Sequence, residues 1–215
     1  MPYNLDKSWL FTELDSLRPS HRVAFCAACC ERLLPLYVAF CRMESWGTPA
    51  KLRIVLDMIW SYAGGESFGQ ELIHQHQRTC IKAAPDSEKF TTAFVSGAIQ
   101  TSEALYAALA CCDSSAVSAA VGVAEAAFNA VYLYLYVTCD PIVESHTDTD
   151  VFHAWVLNSP LMGAELEKQI KDIELLKSNP CLSKEFLVFL RDSSIRSGIR
   201  PFDRGLVKVN STRRP

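Results

Sequence analysis

"AFCAACCERLLPLYVAFC", residues 24–41, carries four of the chain's nine cysteines, and its reading decides the fold. A C-x-x-C inside it admits three chemistries: a redox couple, half a metal site, or packing. Cys26, Cys29 and Cys30 stand at i, i+3 and i+4, and the same steps reach Leu33, Leu34, Tyr37, Phe40 and Cys41. That is one apolar stripe of an α-helix. Cysteine packs there as a small hydrophobe. A zinc site needs further ligands at matched spacing, and the adjacent Cys111 and Cys112 would point about 100° apart on a helix. A thioredoxin-like couple opens a helix after a strand, whereas this pair lies inside a helix. Core packing is the favoured reading.

Outward from this segment the pattern stays helical. Asp6 caps a first helix to about Leu17. Pro19 opens a second, to about Met43, with a kink expected at Pro35. Thr48 and Pro49 begin a third, with Leu52, Val55, Leu56, Ile59 and Trp60 on one face and Gly64–Gly65 as its stop. A fourth spans about Ser67 to Ala83, and Asp86 or Ser87 starts a long fifth to about Cys111. "DSS" at 113–115 turns into a sixth that ends before Pro141, and further helices fit 150–157, 161–178 and 183–197. Ala104, Ala107, Ala108, Ala120, Ala124 and Ala127 predict close approach of the fifth and sixth. The expected fold is all-α: one bundle of about eight or nine helices over residues 1–198, followed by a basic tail, 199–215.

Composition agrees with this. The chain has 215 residues and is 49% hydrophobic, enough for a single sizeable core. "MPYNLDKSWLFTEL" lacks a basic segment followed by an apolar one, and nine cysteines suit a reducing compartment; the expected setting is cytoplasmic. Residues 116–137 could span a bilayer by length, but Glu125, Asn129, the abundant alanines and the absence of flanking Lys or Arg argue for a buried helix.

"FCAACCERLLPLYVAFC" followed by "LRIVLDMIW", residues 52–60, resembles the bacterial helical family called domain of unknown function 416, with its C-E-R-x-x-P-x-Y and L-D-x-I-W patterns. "SGAIQTSEALYAALACCDSSAVSAAV", residues 96–121, is similar to that family's small-residue helix pair. The resemblance covers residues 20–135. It implies an all-helical cytoplasmic protein and brings no catalytic residues; Glu31, Arg32 and Asp57 match its motifs as a buried ion network that sets helix register. A looser similarity, of character rather than motif, is to helical immunity proteins that neutralise bacterial toxins.

Other candidates read as structure. "HTDTDVFH", residues 146–153, offers His146, Asp148, Asp150 and His153 to a divalent cation, but acids before a helix cap its free N–H groups. "HQH" at 74–76 points its imidazoles to different sides of a helix. Glu103 and Glu125 lack the Glu-x-x-His element that carboxylate-bridged metal bundles use. There is no phosphate-binding glycine loop and no G-x-S-x-G. Neither metal nor cofactor is expected.

Charge is the most informative feature. Residues 90–167 contain no Lys or Arg but nine acids: Glu103, Asp113, Glu125, Asp140, Glu144, Asp148, Asp150, Glu165 and Glu167. Residues 191–215 reverse this, with seven Arg or Lys against two Asp. Such an acidic field repels nucleic acid and steers basic partners. The expected function is that of a non-enzymatic binding protein, an immunity protein occluding a cognate basic toxin through Asp113, Asp140, Glu144, Asp148 and Asp150. A homodimer is also open. The alternative is a helical-bundle enzyme or metal binder using Glu103, Glu125 or the 146–153 cluster.

Overall fold

A computed structural model describes residues 5–90, 92–138 and 149–199. Nine helices and no strand occur among the described residues. They are α1 (Lys7–Asp15), α2 (Pro19–Glu44), α3 (Pro49–Ala63), α4 (Gln70–Ala83), α5 (Val95–Ser114), α6 (Val117–Thr138), α7 (Thr149–Leu157), α8 (Pro160–Ser178) and α9 (Lys184–Ser197).

Their ends follow from local chemistry. The Asp6 carboxylate accepts from the N–H groups of Ser8 and Trp9, both at 3.0 Å. Ser159 and Ser183 cap α8 and α9 by accepting from Met162 and Phe186. Prolines occupy the first turns of α2, α3 and α8, where a missing N–H costs nothing. Ser45 and Ser115 close α2 and α5 in the left-handed region, at φ 52° and 53°.

The expected α5 start at Asp86 or Ser87 is corrected to Val95. The Asp86 carboxylate accepts from the Glu88 N–H at 3.0 Å, a local turn that competes with helix nucleation. The irregular segment delivers Phe90 to Phe40 and Trp46, with ring centroids 5.2 and 5.3 Å away. It also leaves Phe94 buried at the α5 cap.

The stripe expected on α2 is wider than one face. Every residue from His21 to Leu34 is buried, because α3, α5, α6, α8 and α9 all pack against this helix. A helix that is apolar nearly all round belongs in the middle of a core. Its helical conformation continues through Pro35. Proline leaves the Glu31 carbonyl without its helical donor, and one residue on, the Ile199 N–H reaches the Arg32 carbonyl at 3.4 Å. Gly198 makes that crossing close: a Cβ there would stand 3.4 Å from the Arg32 carbonyl oxygen.

Ala104, Ala108, Ala120, Ala124 and Ala127 are fully buried where α5 and α6 pack together, and Ala107 is half-buried. Two helices, α2 and α6, are long and apolar enough to cross a membrane by length and composition; in α2 89% of that apolar stretch is buried in the bundle, in α6 44%.

Candidate functional site: two ion clusters and an acidic helical end

Glu31 and Arg32 leave α2 about 100° apart, and each enters a different cluster. Arg32 meets Glu165 of α8 through two parallel bonds, Nε to Oε2 at 2.7 Å and Nη2 to Oε1 at 2.8 Å. Its Nη1 donates to Asp172 Oδ2 at 3.0 Å and to the Ala28 carbonyl at 3.1 Å, and Nη2 also donates to Cys29 Sγ at 3.2 Å. Lys168 pairs with the other Asp172 oxygen, and Gln169 donates to Glu165 at 2.9 Å and to the Ala124 carbonyl of α6. Arg32 is 1% exposed and Asp172 fully buried. Burial alone pushes the guanidinium pKa down; the Glu165 and Asp172 carboxylates and Cys29 outweigh it and hold it above its ordinary value.

Glu31 faces the other way. Its carboxylate accepts from Arg53 Nη1 and Nη2 at 2.7 and 2.8 Å, from Arg191 Nε at 2.8 Å and from Trp60 Nε1 at 3.0 Å. Asp57, 47% exposed in its side chain, shares both arginines. This cluster ties α2 to α3 and α9. The single network expected of Glu31, Arg32 and Asp57 is therefore two: Glu31 and Asp57 share arginines, and Arg32 sits in the other. Asp172, Arg53 and Arg191 are not candidates in the sequence, and Glu165 enters there only as one of the nine acids of residues 90–167. The signal existed in α8, where Glu165, Gln169 and Asp172 recur at four- and three-residue steps among Met162, Leu166, Ile173 and Leu176.

The eight described cysteines are free thiols, and Cys26, Cys29, Cys30, Cys80, Cys111 and Cys112 are buried. Burial pushes the thiols of Cys29, Cys80 and Cys112 up to about 12 and that of Cys30 well above its ordinary value. Such thiols are inert nucleophiles. No group of three or more His, Cys, Asp or Glu side chains poised for a metal occurs among the described residues.

The acidic stretch is less uniform in space than in sequence. Glu165 is spent on Arg32, and Glu125 pairs with Lys7 of α1. Glu103 is exposed and accepts from Gln100 at 2.7 Å. Asp113 lies exposed at the end of α5, beside the start of α6, whereas Asp150 lies exposed on α7, which packs along the far half of α6 through Tyr132–His153 and Tyr136–Phe152. At 1.5 Å per residue these two acids are separated by roughly 25–30 Å along α6. The structure does not bring Asp113 to Asp150. Asp140, Glu144, Asp148 and His146 lie outside the described residues. His153 is exposed with Nδ1 3.2 Å from the Tyr132 hydroxyl. Near Asp150 the surface also exposes Tyr136, Val137, Val151 and Trp155.

Central buried helix, ion-locked partner helices and absence of strands among the described residues define an all-α single-core bundle. The family model described as "Protein of unknown function (DUF416)" matches residues 9–200, and the chain belongs to that family. The match extends beyond the 20–135 segment that carries the sequence resemblance, and takes in all nine helices but for the first two residues of α1. The crystal structure of a DUF416 family protein from Shewanella baltica OS155 has the same fold, with a TM-score of 0.75 at 22% identity, over 88% of this chain and 94% of that one. No curated protein matches the chain.

Proposed function

We propose that this protein binds a basic protein partner through the acidic end of the bundle formed by α7 and the C-terminal half of α6, and that it acts as a cytoplasmic immunity protein for a cognate antibacterial toxin. The observation that carries the reading is one of composition and place: the stretch from 90 to 167 holds no Lys or Arg, and on α7 the exposed Asp150 lies two residues from Phe152, whose ring meets those of the exposed Tyr136 and Trp155. Tyrosine and tryptophan are the residues that anchor protein interfaces, and a single-sign field around them speeds the encounter with an oppositely charged partner. Of the residues that the enzyme or metal-binding alternative names, Glu125 pairs with Lys7 and Glu103 accepts from Gln100.

The test isolates the partner by copurification from the native host and, where that partner is a toxin, assays its activity with this protein added. Excess protein should suppress the toxin's activity, and Asp148→Lys/Asp150→Lys should slow association at least about tenfold at low salt, with the difference shrinking as the Debye length falls to about 8 Å. A toxin that stays fully active ends the immunity reading. A partner that is acidic, or that binds equally fast at all salt concentrations, ends the electrostatic one.

A further inference from the structure

Helix α9 carries a second exposed face whose chemistry differs from that of the acidic end. Its inner side is fixed: Leu190 and Ser194 are fully buried, and Arg191 is held by Glu31 and Asp57. On its outer side Glu185, Val188, Phe189, Asp192, Ile195 and Arg196 follow one another at three- and four-residue steps, which places them along one face. Val188, Phe189 and Ile195 are 52%, 50% and 49% exposed. The face has an acid in its first turn, a base in its last turn and apolar side chains between.

We propose that this face docks a second copy of the chain, with the two α9 helices antiparallel about a two-fold axis. The charge order selects the occupant. In an antiparallel pair centred between residues 190 and 191, Glu185 of each copy lies opposite Arg196 of the other, and Phe189 lies opposite Asp192 and beside Val188. A parallel pair would set Glu185 against Glu185. The same order explains why self-association uses α9 and not the acidic end, where two copies would bring acids together. Mixed in sign, with Glu185 and Asp192 set against Arg196, the α9 face offers only a weak field to a basic partner. An interface built on one 14-residue helix is at the small end of stable contacts, so the dimer is weak, with dissociation in the micromolar range. The exposed charges set orientation, and the apolar side chains supply the affinity.

Sedimentation velocity on the full chain, from about 1 to 200 μM, should show a reversible monomer–dimer equilibrium. Phe189→Glu should weaken it at least about tenfold, which is about 1.4 kcal/mol. Glu185→Lys and Arg196→Glu should each weaken it, and an equimolar mixture of those two variants should associate more tightly than either alone, because every 185–196 pair across the heterodimer is then attractive. All three positions are exposed, so circular dichroism should match the wild type. A protein that stays monomeric throughout, a dimer indifferent to Phe189→Glu, or a mixture no tighter than its components overturns the proposal.

Discussion

At the scale of single residues, Arg32 decides the most. It is a charge at 1% exposure whose donors reach two carboxylates, a carbonyl and a thiol, so the desolvation of the guanidinium is offset only while all of them stand in place. Replacing it with methionine keeps the bulk but leaves Glu165 buried and without its cation. Arg32→Met should therefore cost about 3–5 kcal/mol in urea denaturation, and adding Glu165→Met should recover part of that loss by removing the stranded charge. Arg32→Met within about 1 kcal/mol of wild type would mean that water or a neighbour solvates the site, contrary to its burial. Glu31 differs in kind: its two arginine partners are one-third exposed, so that cluster is a hydrated clasp on α9 and the Arg32 cluster a dry bolt on α8.

Among the elements, α2 sets the terms for the rest, and close approach to it is bought with small residues. A Cβ added at Gly97 of α5 would stand 3.0 Å from Leu36 Cδ1 and 3.1 Å from Leu36 Cβ, whereas one added at Gly122 of α6 would meet nothing within 4 Å. Gly97→Val should thus overpack the α2–α5 contact and cost about 1–3 kcal/mol, while Gly122→Ala should gain about 0.5–1 kcal/mol from helix propensity. Thermal melts of the pair check both signs at once; equal effects would deny the difference in packing. The helices themselves were legible because several of their boundaries are written locally, in Asp6, Pro19 and Pro49. The start of α5 was not, because an Asp86 side chain bonding its own backbone looks in sequence like an N-cap. Nor could pattern alone show that Glu165 and Asp172 serve Arg32: periodicity reports which face a residue is on, never which residue more than 130 positions away will meet it. The same blindness made nine acids look like one field when Glu125 and Glu165 are each matched to a cation.

For the whole molecule, the buried thiols link stability to pH. An unfolded cysteine ionises around its ordinary value of 9.0, while burial keeps Cys29, Cys80 and Cys112 protonated up to about 12 in the fold, with Cys30 also raised; Cys26 and Cys111, joined by a hydrogen bond, shift in opposite directions. Their folded pKa values lie above the unfolded ones, so the stability they contribute is complete below pH 9. It drains as pH rises toward 12, where the unfolded chain binds fewer protons than the folded one. Each such thiol contributes a slope of about 1.4 kcal/mol per pH unit inside that window. Three or more acting together remove about 4–5 kcal/mol per unit, against a total stability of about 5–15 kcal/mol for a domain. With reductant present, the free energy of unfolding should be flat from about pH 7 to 8.5, fall steeply above 9, and reach zero between about 10 and 12. Lysines and tyrosines also titrate there, so the decisive quantity is the slope. Cys80→Ala/Cys112→Ala lowers stability at neutral pH through lost packing, yet should flatten the decline between pH 9.5 and 10.5 by about 2–3 kcal/mol per unit. An unchanged slope in that variant would show that these thiols ionise alike in both states, and that the core around α2 is wetter than its packing implies.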